Sequence, residues 1–293
     1  MTLGRRLVTA ASAVSMTLAT VLLPTAAVAA PAQFDEYYRY FDVGPKWQIY
    51  AHSRWVPQGL TKLSENTLVI SYYDRFESLN SIVALVDRST GNWLRTYPLD
   101  IKGHVGGIAA TSGHLWVTYG DTVRRYPRSQ LTRTGGTTMT TSYSRTVAAA
   151  SYAFAEGNYL WVGQFDETSR EYMYRYTVDS AGNLSSSWSQ RVYTPSRVQG
   201  VVVTPTRIVW SQSFGRDNDS QLIFWPRGTT YNGSTSIGNW LTAPNMSEGL
   251  VVAGGQIQVI FESCSEAYDG TADGNAADYI VCSIHHGGFP NLP

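Results

Sequence analysis

The chain has 293 residues, of which 43% are hydrophobic and 15% charged, with 22 Lys and Arg against 22 Asp and Glu. That balance leaves no basic stripe and argues against nucleic acid or an anionic membrane surface as the main partner. The length is enough to bury a large core and is compatible with one all-β domain.

The first thirty residues read as an export signal. Arg5 and Arg6 form a positive start, an apolar stretch runs from Leu7 to about Leu23, and Pro24 breaks it. The small residues Ala26, Ala27, Val28, Ala29 and Ala30 then offer a cleavage site. The expectation is a signal peptide over 1–30, a single domain over 31–293 and a secreted, monomeric product. Loss of Arg5 and Arg6 leaves 20 basic against 22 acidic side chains, a net charge of −2. No later stretch is long and apolar enough to span a bilayer, so no membrane contact is expected after cleavage. Only Lys46, Lys62 and Lys102 are lysines; this bias toward arginine and the Ala-rich leader suggest a bacterial source.

Beyond residue 30 the chain shows short alternating runs bounded by Gly, Pro, Asn and Asp, with no helical period, which predicts many antiparallel strands. An early run, Glu36–Val43, is one of them. Five later segments then repeat one pattern: a small residue, an aliphatic strand, a tight turn and a more apolar strand. They begin at Gln58-Gly59-Leu60, Gly106-Gly107-Ile108, Ser151-Tyr152-Ala153, Gln199-Gly200-Val201 and Glu248-Gly249-Leu250. The central residues lie 48, 45, 48 and 49 apart, and four of the five are glycine. Two further strands follow in each repeat; in the first, Ser81–Val86 and Asn92–Tyr97 are joined by the turn Asp87–Gly91. Four strands in about 47 residues is the size of one propeller blade.

The stretch Gln58–Leu99, with Ile82-Val83-Ala84-Leu85-Val86-Asp87 and Thr90-Gly91, resembles a blade of the broad NHL, PQQ-like and YVTN group of β-propellers. The resemblance implies a fold and no single activity, since that group contains lyases, lactonases, dehydrogenases and pure binding proteins. The expected architecture is an all-β propeller of about five four-stranded blades, with a degenerate sixth left open. Glycine at the start of the inner strands suits the crowding near the axis.

The last repeat lacks an outer strand after Tyr279–Ile284, so the early run Glu36–Val43 is predicted to complete blade five and close the ring. Cys264 and Cys282 are the two cysteines, and in an exported protein they read as a disulfide. Free thiols or metal ligands are the alternatives, although two cysteines without partners of suitable spacing make a poor zinc site. The bond would join the second and third strands of blade five.

In this architecture the entry to each inner strand and the loop between the second and third strands share one face. Candidate ligand-binding residues there are Gln58, His104, Ser151, Tyr152, Gln199 and Glu248 near the axis, with Asp74, Arg75, Asp166, Arg216 and Asp217 in the loops. The mixture of aromatic, acidic and guanidinium groups suits sugars or peptides. Glu248 is the candidate general acid or cation ligand. Asp74 and Asp166 are possible second acids, since a glycosidase needs a pair. The loop carrying Glu266, Asp269, Asp273 and Asp278 does not fit an EF-hand, and the adjacent His285 and His286 would alternate in a strand. Gly-x-Ser-x-Gly, P-loop and His-Glu-x-x-His motifs are absent from the chain. No metal and no cofactor are expected. The sequence therefore predicts a secreted propeller that binds a glycan, peptide or protein at its axial mouth. An extracellular hydrolase or lyase using Glu248 is the alternative.

Overall fold

A helix opens the described chain where the sequence predicted a strand. The structure, a computed structural model, describes residues 30–46, 54–132, 134–232, 239–268 and 279–288. The leader, apart from Ala30, and most of the 266–278 loop lie outside them. Helix α1 (Asp35–Tyr40) has Asp35 and Glu36 in its first turn and Arg39 in its last, charges that suit the helix dipole. Tyr37 and Phe41, four residues apart, stack with ring centroids 4.7 Å apart and are both buried. This packing, which alternation alone does not reveal, holds 35–40 helical. Strand β1 (Phe41–Lys46) follows.

The remaining strands come in four complete sets. Blade one holds β2 (Trp55–Ser64), β3 (Thr67–Asp74), β4 (Asn80–Asp87) and β5 (Trp93–Lys102). Blade two holds β6 (Ile108–Ala110), β7 (His114–Tyr119), β8 (Thr122–Pro127) and β9 (Tyr143–Thr146). Blade three holds β10 (Tyr152–Glu156), β11 (Tyr159–Gly163), β12 (Tyr172–Thr177) and β13 (Gln190–Tyr193). Blade four holds β14 (Val198–Val203), β15 (Arg207–Gln212), β16 (Ser220–Pro226) and β17 (Asn239–Ala243). Each is an antiparallel four-stranded sheet in chain order.

The fifth sheet runs β18 (Ser247–Ala253), β19 (Gln256–Phe261), β20 (Ser283–Gly288) and then β1. The first strand of the fold thus supplies the outer strand of the last blade, pairing Phe41 with Gly287 and Val43 with His285. The third strand begins later than the sequence pattern suggested. His285 and His286 lie inside it; His285 is buried, and its Nδ1 shares a hydrogen bond with the Tyr37 hydroxyl at 3.0 Å. The closing strand is thereby tied to the helix that precedes it.

The inner strands β2, β6, β10, β14 and β18 each contact the next, and β18 returns to β2. The protein is a five-bladed β-propeller. Its five main apolar clusters lie between successive blades. Val69, Leu99, Leu115 and Val117, for example, join blades one and two, while Val202, Phe224, Leu250 and Phe261 join blades four and five.

Glycine permits the close approach at the axis. A Cβ on Gly249 would lie 2.3 Å from the Leu60 nitrogen, and one on Gly107 2.5 Å from that of Ala153. Gly59 and Gly200 meet their own neighbours in the same way. Tyr152 takes the glycine's place in blade three, where its ring lies across Gly163 of the adjoining strand. Cys264 and Cys282 are bonded, with Cα atoms 5.1 Å apart. They stand just after β19 and just before β20, so the bond clamps the ends of the connecting loop.

Gly249→Ala is expected to destabilise the fold by about 2 kcal/mol or more through overpacking, read from the urea midpoint. Loss of the disulfide, which spans 18 residues, should cost about 3 kcal/mol in the same measurement.

Candidate functional site

Three inner strands carry an irregularity at the same place. The pairing shifts between Pro57 and Leu60, between Val198 and Gly200, and between Ser247 and Leu250. Gln58, Gln199 and Glu248 lie within these bulges, Gln58 and Glu248 together with the glycine that follows each. A bulge re-aims side chains and bends the strand, so it is a local device for placing polar groups at the start of an inner strand. Arg197 and Met246, three residues before their glycines, have φ of 61° and 64° and form the sharp entry to the last two inner strands.

Gln58 and Glu248 are 2% and 1% exposed. Gln58 Nε2 donates to Glu262 Oε2 at 2.9 Å, while Glu248 Oε2 is buried without a hydrogen-bond partner. Burial first, and the nearby Glu262 charge second, push the Glu248 pKa well above the ordinary carboxylate range. Gln58, Glu248 and Glu262 thus form one polar cluster where blades five and one meet. Glu262 is not among the candidates read from the sequence. Counting five residues from Leu68, Ile208 and Ile257 reaches Tyr73, Ser213 and Glu262, and that repeat register was the signal for it.

His104 lies on the same face, its ring centroid 4.5 Å from that of Tyr73. Its pKa is lowered by burial and partly restored by Glu77. Ser151 and Gln199 are half-buried, and Tyr152 is buried in the core between blades three and four.

The loop acids hold their own loops. Asp74 pairs with Arg54 at 2.8 Å and accepts from the backbone N–H groups of Phe76, Ser78 and Leu79. Burial acts to raise its pKa, but Arg54 and these donors outweigh it and hold the carboxyl well below the usual range. Asp166 Oδ1 accepts from the N–H groups of Thr168 and Ser169, and Asp217 Oδ1 from Asn218 Nδ2. Arg75 donates to the Ala267 carbonyl and ties the blade-one loop to the disulfide loop. Arg216 is half-buried in the loop between β15 and β16. The structure therefore brings Gln58 and Glu248 together with Glu262, and His104 with Tyr73, while Asp74, Asp166 and Asp217 shape turns.

The opposite mouth, where the inner strands end, holds a cavity of about 810 Å³. Every blade lines it: Thr61–Glu65, Ala110–Ser112 with Arg128, Phe154–Asn158, Val203–Thr206 and Val251–Val252. Its charged groups are paired with the protein itself. Lys62 bonds Glu65, Arg227 bonds Glu156, and Arg128 donates to the carbonyls of Leu63, Thr111 and Ser112.

No protein-family model and no curated protein matches this chain. The solved structures that match include a chain of hydrazine synthase from Kuenenia stuttgartiensis, 15% identical, with a TM-score of 0.43 over 72% of this chain. The alignment covers 58% of that structure, so this chain spans little more than half its length. The propeller assignment rests on the strand pairing described above, and the site must be read from its own residues.

Glu248 yields a pH prediction. Its folded pKa lies above its unfolded value, so its contribution to stability is full at low pH. That contribution is lost as pH rises from the ordinary carboxylate range toward the raised value. Glu248→Gln keeps the shape and removes the ionisation. It should raise stability by about 1 kcal/mol or more near pH 8 and have little effect near pH 4, in urea titrations at both pH values. Parallel profiles for the two proteins would contradict the assignment.

Proposed function

We propose that this is a secreted propeller that binds an extracellular glycan, peptide or protein at an axial mouth without chemical turnover. The leader pattern at 1–30 and the Cys264–Cys282 bond support the compartment. One observation carries the binding: the cavity of about 810 Å³ to which all five blades contribute, a size suited to a small ligand or a short polymer segment. Its place on the axis means that no single blade forms it and that closure of the ring completes it.

One observation favours the hydrolase or lyase reading instead. Glu248 is a buried carboxyl with raised pKa beside a second carboxylate, which is how a general acid is prepared. The two readings use opposite mouths and so respond to different variants.

A glycan and peptide array probed with residues 31–293 is expected to yield a binder. Filling the cavity rim with Thr206→Trp should abolish its binding, and Glu248→Gln should leave it unchanged. Turnover of a bound compound that Glu248→Gln abolishes would establish the enzymatic reading and overturn this one.

A further inference from the structure

The charged groups and several hydroxyls around the cavity are engaged within the protein. Lys62 pairs with Glu65 and Arg227 with Glu156, Arg128 is held by three carbonyls, and Glu65 Oε2 also accepts from the Gly254 N–H. Hydroxyls that could meet a ligand cap turns instead. Thr204 Oγ1 accepts from the N–H groups of Thr206 and Arg207 and donates to the Arg207 carbonyl. Ser64 Oγ accepts from the N–H groups of Asn66 and Thr67. Thr111 Oγ1 accepts from Trp116 Nε1. A sugar hydroxyl that displaced the bonds to Ser64 or Thr204 would leave turn N–H groups without a partner.

The floor has the opposite character. Ala110, Phe154, Ala155 and Val252 are half-buried apolar residues at the axial ends of the inter-blade cores, each open to the cavity on one side. Covering such a surface with an apolar group is favourable by about 25 cal/mol per Å². Among the described residues, the side chains of Thr61, Ser112 and Asn158 make no hydrogen bond within the protein and line the same cavity. Three such groups match the sparse N–H and C=O groups of a short peptide better than the dense hydroxyls of a glycan.

Resting on the axial-mouth reading above, we propose that the cavity receives an uncharged, apolar peptide segment. Apolar side chains cover the floor, and the peptide backbone meets Thr61, Ser112 and Asn158. Because the segment carries no charge, and Lys62 and Glu156 at the rim already have ion-pair partners, binding depends little on salt.

The test is an array of capped pentapeptides graded by charge and hydropathy, printed beside neutral oligosaccharides and probed with the mature protein. Two variants accompany it: Val252→Trp, which fills the floor, and Ser112→Trp, at an exposed turn on the rim where the fold tolerates bulk. Bound peptides are expected to be enriched in uncharged apolar sequences. Insertion of one Asp or Lys should weaken them at least about tenfold, each Trp variant should do the same, and raised NaCl should leave affinity unchanged. Oligosaccharides or charged peptides that bind and are lost in both variants would overturn this inference and leave the axial-mouth reading standing. Binders unaffected by either variant, or an array without binders, would overturn both.

Discussion

The structure depends on the close approach of five inner strands around one axis. At four of the five junctions a glycine stands where a Cβ would fall 2.3–2.7 Å from the backbone of the next strand. Real side chains do not survive such contacts, so the glycines set the radius of the ring. The radius in turn brings neighbouring sheets close enough to share the apolar clusters that supply most of the burial. Blade three meets the same constraint differently, with the Tyr152 ring lying across Gly163.

Closure follows from the same demand. A ring of sheets with an unfilled last blade would expose the edge of β20, and β1 covers it. The Tyr37–His285 hydrogen bond and the Tyr37–Phe41 stack anchor that strand from its helical side. The disulfide holds the loop on the other side of β20. Two mouths result, and their chemistry differs. At the entry of the inner strands, bulges deliver Gln58, Gln199 and Glu248, and one carboxyl is buried without a counter-charge. At the exit, turns consume their own polar groups and leave an apolar floor.

Much of the fold was legible because it is local and repeated. The spacing of Gly59, Gly107, Gly200 and Gly249 reflects one hairpin geometry repeated around the ring. The turn at Asp87 was equally visible: its carboxylate accepts from the N–H groups of Ser89 and Thr90, and Gly91 has φ of 72°. The helix at 35–40 was not legible, because alternation over Glu36–Val43 mimics a strand, and the local Tyr37–Phe41 stack is fixed by a bond from Tyr37 to His285, 248 residues away. The loop acids were visible as residues but their hydrogen bonds were not: Asp74 accepts from the N–H groups of Ser78 and Leu79, and Asp166 from those of Thr168 and Ser169. The exit cavity was hidden for a related reason. Which threonines are engaged and which are open depends on turn hydrogen bonds that composition does not show.

Native-state hydrogen exchange tests the shared ring most directly. If five inner strands form one close-packed unit, the amides of β2, β6, β10, β14 and β18 should exchange only through global opening, with one common free energy, while outer strands exchange faster. Inner strands of separate blades opening at clearly different free energies would show that the blades fold as independent sheets, contradicting the account.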